Sequence, residues 1–232
     1  MNPHRAAIVC VCALAMTGCG ELGQRADLVF LNGAEPETLD PALITGQPEG
    51  RIASSLFEGL TRFNQQGEAE PGVAESWSIS PDGRVYTFQL REDARWSNGQ
   101  PVTARDFAAS WQRTLEPLTA SEYAYQLHYL ENGRAFNQGE IDDFAQVGVK
   151  APDERTLVVT LENPTPFFLD LCAFTTLLPV HLPSVAEHGD DWIKPGRLVA
   201  NGAYTLDAWR INDRIRLLRN PHYWDAANVA MR

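Results

Sequence analysis

Cysteine is scarce in this sequence, which limits what the chain can do with sulfur. Its 232 residues include 4 cysteines, and Cys10, Cys12 and Cys19 all lie near the N-terminus. Cys172 is the lone cysteine of the remaining chain, and it lies in an apolar stretch. A lone cysteine forms neither an internal disulfide nor a cysteine-rich metal site. We therefore expect Cys172 to be a small buried side chain rather than a reactive thiol.

Positive charge is also scarce, and no basic residues cluster into a stripe. The sequence holds 19 Lys and Arg against 30 Asp and Glu, a formal net charge of -11. Nucleic acid is therefore excluded as an expected partner. A hydrophobic share of 44% and a charged share of 21% are typical of a folded soluble protein. One large domain or two small ones fit this length.

The motifs of the common enzyme classes are missing. The sequence contains no G-x-S-x-G, no H-E-x-x-H, no G-x-x-x-x-G-K-[ST] and no G-x-G-x-x-G. The acidic residues Glu35, Glu37 and Asp40 lack the spacing of a calcium loop. Surface or hydrogen-bonded core roles are expected for the later histidines, which are His128, His181, His188 and His222. We expect no enzymatic activity, no metal site and no cofactor.

The longest apolar run at the N-terminus is too short to span a bilayer as a mature helix. It covers residues 6–16, follows Arg5 and precedes small residues, which is the order of a secretory signal. The segment M-T-G-C at 16–19 resembles the lipobox of bacterial lipoproteins, in which the cysteine is acylated and the signal is cut before it. This resemblance implies a signal peptide over 1–18, an anchor linker over 19–26 and attachment to a lipid bilayer through acylated Cys19. The alternative is an ordinary signal peptide with an incidental cysteine.

The region after the linker is predicted to start with a strand and a long loop. The compact apolar run at 28–31 is typical of a strand. Three prolines predict an extended, turn-rich loop over 35–50. Apolar residues at four-residue spacing from Ile52 to Leu60 then predict an amphipathic helix that ends near Gly59.

Later elements have clearer local signals. A turn at 80–83 predicts a hairpin with an aromatic face, and Thr103 with Asp106 forms a capping box that begins a helix at Ala104. The other predicted elements are a strand over 156–161, a short helix over 167–174, a brief helix that ends at Gly189 and a closing hairpin over 203–219. Strands and helices do not alternate regularly, which favours an α/β protein whose sheet contains parallel and antiparallel pairs.

The order of the short motifs is more specific than any one of them. In chain order they are E-P-E-T-L-D-P at 35–41, L-F-E-G-L at 56–60, P-G-V-A-E-S-W at 71–77, W-S-N-G-Q-P-V-T-A at 96–104, N-G-A-Y at 201–204 and R-N-P-H-Y-W-D at 219–225. This order resembles the family 5 extracellular solute-binding proteins, the peptide-binding lipoproteins and periplasmic receptors of ABC importers. The segments T-A-S-E-Y-A at 119–124 and N-G-A-Y look most like the oligopeptide-binding branch.

The resemblance implies a periplasmic binding protein-like fold of type II, an α/β two-lobed clamp with mixed sheets. Residues 27–57 and 182–232 would form an incomplete first lobe, residues 58–181 an inserted subdomain, and the second lobe would be absent from this chain. The implied function is peptide capture for an ABC importer, by a monomer on the periplasmic side of the bacterial cell envelope, with permease subunits as partners. The alternative is an envelope scaffold lipoprotein that no longer binds peptide.

The resemblance also implies contact residues for the peptide. The loop Thr45-Gly46-Gln47 would offer backbone N–H and C=O groups to it, as an added strand does, and Tyr123 would line a side-chain pocket. The family more often has an acidic residue where Thr45 stands, so no charged contact is expected there. The alternatives are that the loop is only a turn and that Tyr123 only packs on the surface.

Overall fold

The computed structural model describes residues 26–231. Its α-helices are α1 (Gln47–Leu56), α2 (Ala104–Leu115), α3 (Gly133–Asn137), α4 (Phe168–Leu171) and α5 (Leu182–His188). Its strands are β1 (Thr61–Phe63), β2 (Ala69–Pro71), β3 (Ala74–Ile79), β4 (Val85–Leu90), β5 (Val149–Lys150), β6 (Thr156–Thr160), β7 (Tyr204–Arg210) and β8 (Arg214–Arg219). Within these residues, no helix is long and apolar enough to cross a membrane.

The largest sheet in the described region has four strands in the order β3-β4-β6-β5. Phe88 lies at its centre, opposite Trp77 of β3 on one side and Leu157 of β6 on the other. Tyr86, Phe88 and Leu90 are buried, because alternate residues of a strand face the same side of a sheet. The predicted hairpin and the later strand are confirmed.

Helix α2 covers the buried face of this sheet. Thr103 Oγ1 accepts a hydrogen bond from the Asp106 N–H, and Asp106 Oδ2 accepts one from the Thr103 N–H, so the predicted capping box is confirmed. Phe107, Trp111 and Leu115 repeat every four residues and are fully buried. The indole N–H of Trp111 is satisfied by the Leu177 carbonyl, 2.9 Å away.

The other sheets are the two-stranded pairs β1-β2 and β7-β8, and every strand pair in the described region is antiparallel. The expected parallel pairs therefore do not occur there. Short turns join β1 to β2, β3 to β4 and β7 to β8, whereas a parallel pair needs a long crossover connection.

The structure differs from the sequence-based prediction at the start of the described region. Residues 28–31 form no strand, and Leu31 is 90% exposed. A strand requires a hydrogen-bonding neighbour, and no described strand lies beside this run. The apolar run at 28–31 therefore indicated strand propensity, but it has no neighbouring strand with which to pair.

Helix α1 also differs from its prediction at both ends. It begins at Gln47, inside the predicted loop, because Pro48 lies in the first turn, where a helix needs no N–H from it. It ends at Leu56 rather than near Gly59. The Leu56 carbonyl accepts from the Gly202 N–H at 2.8 Å, and the next residue, Phe57, is extended.

A buried carboxylate joins three parts of the chain. Asp40 accepts two hydrogen bonds from the Arg113 guanidinium, at 3.0 and 2.5 Å, and one from the Trp192 indole N–H at 3.3 Å. Asp40 Oδ1 also accepts from the Ala42 N–H. These bonds fix the N-terminal loop against α2, and so set the position of the residues that follow it.

Candidate functional site

The loop that leads into α1 presents free backbone. Gly46 is the N-cap of the helix and is extended, with φ -102° and ψ 156°. The side chains on either side of it, Thr45 and Gln47, are exposed. Within residues 26–231, no hydrogen bond engages the N–H or C=O of Thr45, or the N–H of Gly46. These groups are open to a chain that pairs alongside them.

Buried residues on both sides hold this loop in place. Ile44 is 3% exposed and Glu49 is 7% exposed. The N–H groups of Leu43 and Ile44 both donate to the Asp40 carbonyl. The free backbone therefore lies between two anchored points, so pairing with it costs little ordering of the loop.

Glu49 is a feature of the site that sequence reasoning missed. Its Oε1 accepts from the Glu37 N–H at 3.1 Å, which ties the 35–40 segment to the first turn of α1. Its Oε2 is buried and has no hydrogen-bond partner among the described residues. A Cβ on Gly46 would lie 2.2 Å from that oxygen, so a larger residue at this position would displace the Glu49 carboxylate. An acidic residue in the first turn of a helix was the available signal.

Tyr123 lies at the start of a 3-10 helix, Ala124–Leu127, whose first and last residues are buried. Its ring is half-buried and lies between two other aromatic rings. The centroid of Phe174 is 5.9 Å away in an edge-to-face contact, and that of Tyr125 is 5.6 Å away. Tyr123 is therefore part of an aromatic row and is still open to solvent.

The loop that leads into α1 and the turn that follows Tyr123 are linked through one short segment. The 3-10 helix Thr175–Leu177 contacts both α1 and the Ala124–Leu127 turn. A Cβ on Gly50 of α1 would lie 3.8 Å from Thr175 Cγ2, and Phe174 touches Tyr123. No hydrogen bond joins Tyr123 to Thr45, Gly46 or Gln47.

Residues from three of the motifs, at 56–60, 201–204 and 219–225, contact one another in the folded chain. Asn201 accepts from the Glu58 N–H at 3.0 Å and donates to the Glu58 carbonyl at 2.9 Å. The Glu58 carboxylate accepts from the Tyr223 hydroxyl and from the Trp224 indole N–H. Arg62 is 3.6 Å from this carboxylate. These motif residues bond to one another and so hold distant parts of the chain together.

Burial determines the electrostatics of this junction. It raises the pKa of Glu58, while the hydrogen bonds from Tyr223 and Trp224 and the charge of Arg62 act in the opposite direction. The Arg91 guanidinium lies 3.5 Å from the centroid of the Trp224 ring, in a cation–π contact. The junction therefore contains a carboxyl group whose charge depends on its partners.

Two other residues considered in the sequence analysis, Cys172 and His181, are buried in the described structure. Cys172 is fully buried, and burial raises its pKa well above the ordinary value. His181 is 6% exposed and hydrogen-bonds Ser184 and Gln100. No cluster of three or more metal-ligating side chains occurs among residues 26–231. Cys19, the predicted acylation site, and the predicted signal peptide lie outside the described residues.

Comparison with known proteins identifies the class of protein to which this architecture belongs. The model for bacterial extracellular solute-binding proteins, family 5, matches residues 68–232. The chain belongs to this family. The resemblance inferred from the ordered motifs is confirmed, as is the periplasmic binding protein-like α/β fold.

Individual relatives refine the comparison. The periplasmic oligopeptide-binding protein OppA of Escherichia coli is 45% identical over 214 residues, which cover 90% of this chain and 39% of that protein. The probable deoxycholate-binding periplasmic protein YgiS of Escherichia coli is 42% identical over 204 residues, covering 87% of this chain and 38% of that protein. The chain spans about 39% of the length of such curated relatives.

A solved relative contains a peptide. The crystal structure of Haemophilus influenzae OppA in complex with RPPGFSPFR is 43% identical and superposes with a TM-score of 0.81. The match covers 84% of this chain and 38% of that one.

Proposed function

We propose that this chain is the substrate-binding component of an ABC importer, which captures oligopeptides in the cell envelope and delivers them to permease subunits. The oligopeptide-binding proteins among its relatives support this proposal. They also support a role in binding rather than catalysis. None of the relatives favours the scaffold alternative.

The observation that carries this proposal is the free, extended backbone at Thr45 and Gly46. A peptide in an extended conformation would pair with it as an added strand. Main-chain pairing of this kind ignores side-chain identity, and water can fill the space around different side chains. Recognition through Thr45, Gly46 and Gln47, with Tyr123 beside a side chain, would therefore tolerate many peptide sequences.

The proposal includes the organisation expected from the sequence. Residues 27–57 and 182–232 belong to a first lobe, and residues 58–181 to an inserted subdomain. Acylated Cys19 would hold a monomer at a membrane on the periplasmic side of the bacterial envelope.

Substitution of Gln47 tests the backbone contact. Gln47 is the first residue of α1, where proline is tolerated because its N–H makes no bond within the helix. Gln47→Pro removes one donor and keeps the helix, whereas Gln47→Ala keeps the donor and removes the side chain. In isothermal titration with penta-alanine, we expect Gln47→Pro to weaken binding by about threefold to tenfold. Gln47→Ala should stay within about twofold of the original chain, since no bond to its side chain is proposed.

Two outcomes would contradict the proposal. Equal affinities for the proline and alanine variants would show that the peptide does not use the Gln47 N–H, which the proposed contact includes. Binding of deoxycholate in place of any peptide would transfer the chain to the ligand class named for YgiS.

A further inference from the structure

A second concave surface lies beside Tyr123, on the part of the chain proposed as the inserted subdomain. It is a groove of about 730 Å³ between the turn that carries Tyr125 and Tyr129 and the segment that carries Phe167. Helix α3 closes one side with Arg134. The volume is within the range of pockets that take small ligands.

The groove displays aromatic rings that the fold leaves uncovered. Tyr125 is 51% exposed, Tyr129 37% and Phe167 46%. Tyr129 and Phe167 face each other edge to face, with centroids 5.3 Å apart. Several large rings gathered in one groove, rather than scattered singly, indicate a surface for binding.

The aromatic row connects this groove to the proposed peptide contact. The Tyr125 ring lines the groove and also lies 5.6 Å from the Tyr123 ring. A peptide whose side chain reaches Tyr123 would therefore continue over Tyr125 into the groove. No other element of the described structure separates these two rings, which are in direct contact.

The charges of the groove are unengaged. Glu140, Glu162 and Arg134 all line it, and none of them forms an ion pair or a side-chain hydrogen bond with another described residue. Two carboxylates against one guanidinium leave an excess of negative charge. This excess disfavours an acidic peptide segment.

We propose that this groove is the subsite for an aromatic side chain of the bound peptide, and that it selects peptides whose aromatic residue has no acidic neighbour. The inference rests on the proposed function, because it assigns a substrate class to the same site. An inserted aromatic ring would pack against Tyr129 and Phe167 in offset or edge-to-face geometry.

A scan of pentapeptides tests this assignment. Penta-alanine is compared by isothermal titration with five peptides that carry Phe at one position each, and with versions that carry Glu beside the Phe. We expect at least one Phe peptide to bind about threefold to tenfold more tightly than penta-alanine. The adjacent Glu should reduce this gain.

Variants of the groove identify where the gain arises. Tyr129→Ala and Phe167→Ala should bring the ratio of the two affinities to about one, whereas Tyr129→Phe keeps the ring and should keep the gain. Leu118→Ala is the matched control, since Leu118 is 98% exposed and lies outside the groove.

The failures of the two proposals are distinguishable. If the peptides bind but no position prefers Phe, or if the gain persists in both alanine variants, the groove is not the subsite and peptide capture still stands. If no peptide binds at all, the proposed function fails and the subsite fails with it.

Discussion

Residues 58–181, the enclosed region, and the two segments on either side of them, the flanking part, differ in how completely their apolar side chains are buried. The four-stranded sheet and α2 enclose Trp96, Phe107 and Trp111, each at most 1% exposed. In the flanking segments, residues 28–31 stay exposed, and hairpin β7-β8 leaves Ile211 74% exposed. A sheet with a helix over it can close a core by itself, whereas an isolated strand or a two-stranded hairpin cannot.

The difference shows how the proposed binding surface is built. The free backbone at Thr45 and Gly46 belongs to the flanking part, and it is held by contacts that reach into the enclosed part. Asp40 bonds Arg113 of α2, and α1 contacts the 3-10 helix Thr175–Leu177. Contacts with the enclosed region therefore position the segment that carries the free backbone.

The largest expected effect comes from the core of the enclosed region. Trp111→Ala should lower the free energy of unfolding by about 3–5 kcal/mol, because it leaves a cavity and an unpaired Leu177 carbonyl. The matched substitution Leu31→Ala in the flanking part should change it by about 0.5 kcal/mol at most. Urea denaturation measures both. Similar losses for the two variants would show that residues 28–31 are packed after all.

The contact between the two regions gives the next largest effect. Asp40→Asn keeps the size of the side chain and removes its charge, which weakens the bonds to Arg113. We expect a loss of about 1.5–3 kcal/mol, typical of a hydrogen bond to a charged group. Asp191→Asn removes a carboxylate from an exposed ion pair with Lys194 and Arg197, and no measurable loss is expected. Equal losses for the two variants would mean that burial does not strengthen the contribution of Asp40 to stability.

The pH dependence of stability tests the junction at Glu58. Burial raises the pKa of this carboxyl above its ordinary value of 4.5. Above pH 4.5 the unfolded chain releases this proton first, so the folded state holds more protons and the free energy of unfolding falls as pH rises. The fall ends above the raised pKa of the folded state.

Glu58→Gln removes this titrating group, so the free energy of unfolding of the variant should fall less as pH rises. Its amide can still accept from Trp224 and donate to the Tyr223 oxygen, so the packing is retained. Chemical denaturation between pH 4.5 and 8 compares the two proteins. Parallel curves would show that Arg62 and the hydrogen bonds fully offset burial.

The smallest expected change in the free energy of unfolding concerns two asparagines with positive φ, one in each region. Asn132 in the enclosed region donates from its side chain to the Gln146 carbonyl at 2.8 Å, so Asn132→Gly should cost about 0.5–1 kcal/mol. Asn212 in the β7-β8 turn makes no side-chain bond to a described residue. Asn212→Gly should therefore be nearly neutral, since glycine adopts this conformation freely. A larger loss at Asn212 would reveal a side-chain role in the turn.

Elements specified by neighbouring residues could be predicted from the sequence. The Thr103–Asp106 capping box and the turn at 80–83 act within a few positions, and both are confirmed. The start of α1 was missed because Pro48 was interpreted as a helix breaker, although it occupies the first turn. The helix end at Leu56 could not be found, since its partner is Gly202, which is distant in the sequence.

The same distinction applies to the site. Motif order was enough to assign the family and to propose Thr45, Gly46, Gln47 and Tyr123. Glu49 and the aromatic groove were not visible, because their roles depend on atoms that approach only in the folded chain. Hydrogen bonds between residues close in sequence, and the backbone preferences of single residues, can be predicted from the sequence itself. A buried carboxylate against Gly46, or rings gathered around a groove, arise from long-range packing that only the tertiary structure specifies.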